Sequence, residues 1–210
     1  MKLLIIDGTG KTGLELIKQG LEDGHELTVL VRKPHKLNIE HPHVRVVTGD
    51  VLDHESLNHI FQGQDAVLSV LGHKRFFIKT TILARGTKNI IHAMKVQGVN
   101  RLICITSLGI NDSRFKLGLY YTLFTIPFIL FFYFLDTSQQ EKLLIESSLD
   151  WTIVRPGQLT QGKKRTNYKH GKQVGHYILT KMISRANIAH FMLKHLKSEL
   201  YLHKAVGISN

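Results

Sequence analysis

Residues 8–13 read Gly8-Thr9-Gly10-Lys11-Thr12-Gly13, directly after the apolar run Lys2–Asp7. G-x-G-x-x-G between a strand and a helix is the spacing that brings a diphosphate against free backbone N–H groups at a helix N-terminus. Gly8 permits the tight turn. Gly10 leaves room where any Cβ would collide with the pyrophosphate, and Gly13 lets the helix pack closely on the strand. Thr9, Lys11 and Thr12 complete the expected phosphate loop. About twenty residues on, a carboxylate at the end of the second strand would hold a ribose 2′-hydroxyl. Here that place reads Val31-Arg32-Lys33-Pro34-His35-Lys36, with three cations and no acid. Arg32 can hold a 2′-phosphate in a bidentate way, with Lys36 beside it. NADP(H) is therefore the expected cofactor, in preference to NAD(H).

Three further strand ends carry candidate residues. In Gly49-Asp50-Val51, Asp50 either accepts from an adenine amine or caps the helix after it, and Val51 lines the same site. Leu71-Gly72-His73 ends the fourth strand, where a small residue lets the cofactor pass, so Leu71 and Gly72 are expected contacts. Thr106-Ser107-Leu108-Gly109 ends the fifth. Ligands bind outside the carboxyl ends of strands, which makes Ser107 the expected catalytic and cofactor-contacting residue. Its alternative is a hydroxyl bonding its own backbone.

The elements that must position these residues alternate. Strands are expected at 2–7, 26–31, 44–48, 65–71, 101–106, 151–154 and 205–208, and helices at 12–22, 55–61, 80–96 and 188–196. Such alternation predicts an α/β fold: one doubly wound, mostly parallel sheet with helices on both faces. No linker or repeat divides the chain, so residues 1–210 are expected to form a single domain. The stretch 117–135 holds nineteen residues without a charge. By length it could span a bilayer, but Pro127 should break it into two helices. It also lies between two strands of one sheet. Residues 115–148 are thus expected to form an apolar helical lid over the cleft; a helix lying on a membrane or a partner is the other reading.

Composition narrows the classes. The 28 Lys+Arg against 16 Asp+Glu give +12, and residues 151–210 alone hold eleven cations against one acid, Glu199. This quarter would feel an anionic partner, or is simply a solvated lysine-rich surface. Around the basic run Lys163-Lys164-Arg165 only Tyr168 offers a stacking platform and no reader motif is present, so no nucleic acid is expected. The single Cys104 excludes an intramolecular disulfide or a Cys-cluster zinc site. His54/His59 and His190/His195 are five apart, which turns paired imidazoles about 140° from each other on a helix; no metal is expected. The apolar run at residues 1–7 is too short for a signal peptide, so the expected location is cytoplasmic.

Together with Leu149-Asp150-Trp151-Thr152-Ile153-Val154-Arg155-Pro156-Gly157, these motifs resemble the atypical short-chain dehydrogenase/reductases over nearly the whole chain. Within them the chain resembles the small reductases related to flavin reductase and biliverdin reductase B. The resemblance implies a Rossmann sheet of about seven strands with a pyridine nucleotide in its cleft. It also implies a Tyr-x-x-x-Lys pair before Trp151, whose places hold Phe134 and Ser138; Tyr133 is one residue off, about 100° away on a helix. The flavin-reductase-like relatives place a serine after strand five, matched by Ser107, and a histidine after strand six, where this chain has Gln158. Motifs and resemblance together point to an NADPH-dependent oxidoreductase acting on a small-molecule acceptor, flat and apolar like a flavin or quinone. The alternative is a non-catalytic NADP-binding redox sensor.

Overall fold

A computed structural model describes residues 1–57 and 59–210. In chain order the chain forms β1 (Lys2–Ile6), α1 (Lys11–Glu22), β2 (Glu26–Val31), β3 (Val44–Thr48), β4 (Ala66–Ser69) and α2 (Ile82–Val96). Then come β5 (Arg101–Ile105), α3 (Phe131–Ile145), β6 (Asp150–Pro156), β7 (Gln158–Thr160), β8 (Lys169–Gly171), β9 (Met182–Ser184), α4 (Arg185–Lys194) and β10 (Lys204–Ser209). Eight strands make one sheet in the order β3-β2-β1-β4-β5-β6-β10-β8. Every neighbouring pair is parallel except β10 with β8. The order reverses between β1 and β4, and such a switch point opens a crevice at the strands' carboxyl ends.

The pleat explains the layers. Leu3 and Ile5 of β1 face α1 and α4, packing with Leu16, Ile17, Phe191 and Met192. Leu4 and Ile6 face the other side, with Phe61, Ile90 and Met94. Alternate residues of one strand thus serve two cores, as a sheet covered on both faces requires. Three strands escape periodicity because they are only three residues long: β7 and β9 pair in a small separate sheet, and β8 adds an antiparallel edge. The expected helix 55–61 is reduced to a 3₁₀ turn, Glu55–Leu57; Asn58 lies outside the described residues.

The expected break at Pro127 does not occur. Residues Tyr121–Leu130 form a π-helix with Pro127 inside it, running straight into α3. A π-turn is wider than an α-turn and relieves the clash of a proline ring with the preceding turn. The change of register falls instead at Leu130, with φ −100° and ψ 6°. The result is one helical rod, Tyr121–Ile145, long and apolar enough by length and composition to cross a membrane. Beneath its first half lies a small satellite core of Leu108, Ile110, Leu117 and Phe134.

Candidate functional site

The glycine loop joins β1 to α1 at the switch point. A Cβ on Gly8 would stand 2.1 Å from Val29 Cγ1 on β2. One on Gly13 would stand 2.6 Å from the Asp7 carbonyl oxygen. Packing alone therefore demands glycine at both. At Gly10 the nearest neighbour would be the Asp7 oxygen at 3.4 Å, and at Gly72 nothing lies within 4 Å. The folded chain itself does not need glycine at either place. The N-terminus of α1 receives no side-chain cap and has no acid in its first turn. Open glycines beside an uncapped, acid-free helix start are what a bound diphosphate needs, so these residues fit a dinucleotide.

The other expected residues converge on this loop unevenly. Arg32 and Lys36 are exposed, with Arg32 close enough to act on the Asp7 carboxylate. Asp50 accepts from the Leu52 N–H at 2.9 Å, so one of its oxygens closes a local turn. Val51 and Leu71 are turned onto α2, where a Cβ on Gly86 would meet them at 2.8 and 2.9 Å. Ser107 stands at the end of β5, and its hydroxyl donates to the Leu108 carbonyl at 3.0 Å.

Two clusters flank the cleft. Asp136 on α3 is buried and accepts from the Leu83 and Ala84 N–H groups at 3.0 and 2.9 Å, capping α2 from outside. It also accepts from Thr80 Oγ1 at 3.0 Å, and His73 Nε2 lies 3.6 Å away. Burial pushes the His73 pKa down, against the pull of Asp136. The Tyr133 ring meets His73 edge-on at 5.0 Å, and burial pushes the Tyr133 hydroxyl up to about 12. The second cluster centres on Glu141, which is 0% exposed. Its carboxylate accepts from Arg155 Nε and Nη2 at 2.8 and 2.6 Å, and from Thr106 Oγ1 and Asn111 Nδ2, both at 2.7 Å.

Residues 8–199 match the profile of a family described as NAD(P)H-binding. The chain belongs to this NAD(P)H-binding family. A curated relative, an uncharacterised chloroplastic protein of Arabidopsis thaliana, is 26% identical over 171 residues, covering 75% of this chain and 59% of its own length. The chain thus spans little more than half of that relative. Among solved structures, a short-chain dehydrogenase/reductase from Veillonella parvula in complex with NADP superposes with a TM-score of 0.84 at 17% identity, covering 100% of this chain and 94% of its own. The anaerobillin reductase ChuY from Escherichia coli O157:H7 does so with a TM-score of 0.82 at 18% identity, covering 100% and 97%. At these identities the likeness is one of fold.

Within this NAD(P)H-binding fold, two residues near the cleft, Asp7 and His73, escaped sequence reasoning, and a third, Tyr133, was set one residue off the expected place. Asp7 heads the glycine loop in a left-handed conformation, φ 66°. Burial raises its pKa, while Arg32 and the Gly72 N–H pull the other way. Its sequence signal was an acid directly before the first loop glycine. His73 was visible only as the neighbour of Gly72. Tyr133, not Phe134, is the α3 residue whose ring meets the β4 end; Phe134 is in the satellite core, and Ser138 donates to Asn111 Oδ1. Tyr168, the one expected stacking platform, is engaged by His190 Nδ1 at 2.7 Å. Among the described residues no group of three His, Cys, Asp or Glu could hold a metal.

Proposed function

We propose that the protein is an NADPH-dependent reductase of a flat, apolar acceptor of the flavin or quinone type. The observation that carries the cofactor half is the pairing of the open, uncapped glycine loop with Arg32 at the end of β2 and no acid there. Gly8–Gly13 would hold the diphosphate, Arg32 and Lys36 the 2′-phosphate, and Gly72 would leave room for passage past β4. The nicotinamide, when bound, supplies a hydride. Binding should favour NADPH over NADH at least tenfold. Arg32→Ala should remove most of that margin, because a charge-assisted bidentate contact is worth roughly 1.5–3 kcal/mol. Fluorescence titration with both nucleotides checks this, and equal affinities in the parent protein would end the NADP assignment.

The acceptor half rests on Tyr133. A reductase of the Tyr/Lys kind lowers its tyrosine's pKa with a neighbouring cation. Here burial raises it, and the residue four positions on is Thr137, whose hydroxyl donates to the Tyr133 carbonyl at 2.8 Å. A neutral phenol of this kind orients a ligand but is a poor acid. A flavin or quinone needs no strong acid, since its reduced form is a stabilised anion and solvent supplies the proton. Residues 115–148 would act as the lid, their inner side closing on the acceptor. Turnover should be measurable with flavins or quinones and low with simple ketones. Ser107→Ala should slow it about tenfold, the loss of one hydrogen bond of roughly 1.4 kcal/mol. The rate should stay flat between roughly pH 7 and 9, because His73 titrates below that range and Tyr133 above it. Nicotinamide absorbance across an acceptor panel measures all three.

One observation favours a second reading. Ser107 already spends its proton on the Leu108 carbonyl, which suits a redox sensor that binds NADP(H) without turnover. Tight NADPH binding with no oxidation by any acceptor would select it.

A further inference from the structure

We propose that the mouth of the cleft is a docking face for an anionic lipid bilayer. It is built from residues 73–81, the outer side of the rod that begins at Tyr121, and residues 169–182. The inference rests on this surface itself and not on the reaction assigned above.

In Tyr121–Leu130 no residue is buried, although nearly all are apolar. Phe128 is 74% exposed and Phe124 57%. Two neighbouring loops add to the same surface: Phe77 is 71% exposed and Ile178 is 67%. Backbone bonds fix the segments together, with the Leu119 N–H donating to the Ile178 carbonyl at 3.0 Å and the His176 N–H to the Lys116 carbonyl at 2.8 Å. On the other flank the Phe76 ring packs on Tyr133 at 5.8 Å. Contiguous apolar exposure on this scale marks an interaction site.

Charge identifies the occupant. Residues 73–81, 114–135 and 169–182 together hold eight Lys and Arg and no Asp or Glu. The acid beside them, Asp112 near Lys172, is already paired with Arg155, and an apolar helix face with such a cationic border suits a surface that offers acyl chains and anionic head groups at once. A second copy of this chain is a poor fit, since each face would oppose eight cations to eight with only Asp112, already paired with Arg155, to answer them. Crossing the bilayer is ruled out by connectivity. β5 and β6, which the rod joins, pair directly with each other. From Phe134 onward the rod buries Asp136, Thr137, Gln140 and Glu141 in the fold. The rod therefore lies along the membrane surface, exposed side down.

The test is co-sedimentation of the full chain with vesicles of phosphatidylcholine alone or mixed with phosphatidylglycerol. Binding should be at least tenfold tighter to the anionic vesicles. Phe128→Trp should give a blue-shifted emission on binding, read against the parent's own buried Trp151. The double variant Phe124→Ser/Phe128→Ser should lose at least tenfold in vesicle affinity and keep its NADPH affinity, which separates this surface from the cofactor loop. Three results would overturn the proposal: no preference for anionic vesicles, binding that the double variant leaves intact, or a dimer by light scattering that the double variant dissociates.

Discussion

Glu141→Leu should destabilise the folded protein by about 3–5 kcal/mol, because it strands a buried guanidinium. Glu141 is fully enclosed and takes four hydrogen bonds, two of them from Arg155, which is itself 4% exposed. With the carboxylate gone, Arg155 keeps one partner, Asp112, whose side chain is 61% exposed. The loss should appear as a fall in melting temperature of roughly 10 °C, at about 2–4 °C per kcal/mol for a chain of this size. The double variant Glu141→Leu/Arg155→Met should recover much of it, since replacing a whole buried pair by apolar residues is often neutral. Denaturant unfolding of the three proteins decides the matter; a single variant as stable as the parent would show that the pair is better solvated than its burial implies.

Gly10→Ala should weaken NADPH binding about a hundredfold, roughly 2.7 kcal/mol, and leave the melting temperature within a degree or two. Its Cβ has ordinary clearance from the chain itself, so only a ligand feels it. Gly13→Ala should do damage of both kinds. Its Cβ would lie 2.6–2.8 Å from the Asp7 oxygen and from the Cα and oxygen of Gly8, all backbone atoms that cannot swing aside. The loop would have to shift, and binding and stability would fall together. Calorimetric titration beside a thermal melt reads both quantities. Undiminished NADPH binding by Gly10→Ala would remove the diphosphate from this loop.

The contrast between these glycines shows how far the sequence could be read. Spacing announced the loop and its place between strand and helix, because a strand and a helix have different periods and the glycines fall at the change. It gave Gly10 the ligand side and Gly13 the packing side, but it did not show that packing demands Gly8 too, since that depends on Val29, a residue of another strand. The doubly wound, mostly parallel sheet was legible because buried parallel strands read as continuous apolar runs alternating with helical stretches; the order of its strands came only with the fold. The α3 surroundings were harder. Counting along a helix put Phe134 at the cleft, but ten residues of π-helix precede α3, and which face then meets β4 is set by tertiary packing. The roles of Asp136, Glu141 and Arg155 as buried anchors had no signal in the sequence. Their hydrogen-bond partners lie 14 to 56 residues away along the chain, beyond any local pattern.

Asp136 has one more consequence. Its two oxygens close the first turn of α2, yet its backbone belongs to the rod, whose α3 half packs directly against α2, and Thr80 from the loop after β4 shares the same oxygen as Leu83. The rod cannot swing away from the cleft without uncapping α2, and α2 cannot fray without loosening its hold on the rod. Opening of the cleft and melting of a helix end are therefore coupled, with Asp136 as the latch at the end of α2 and the Gln140–Thr87 bond as a second tie further along. An event that moves the rod on one side will be felt as a change of order on the other, even though no side chain of α2 touches what caused it.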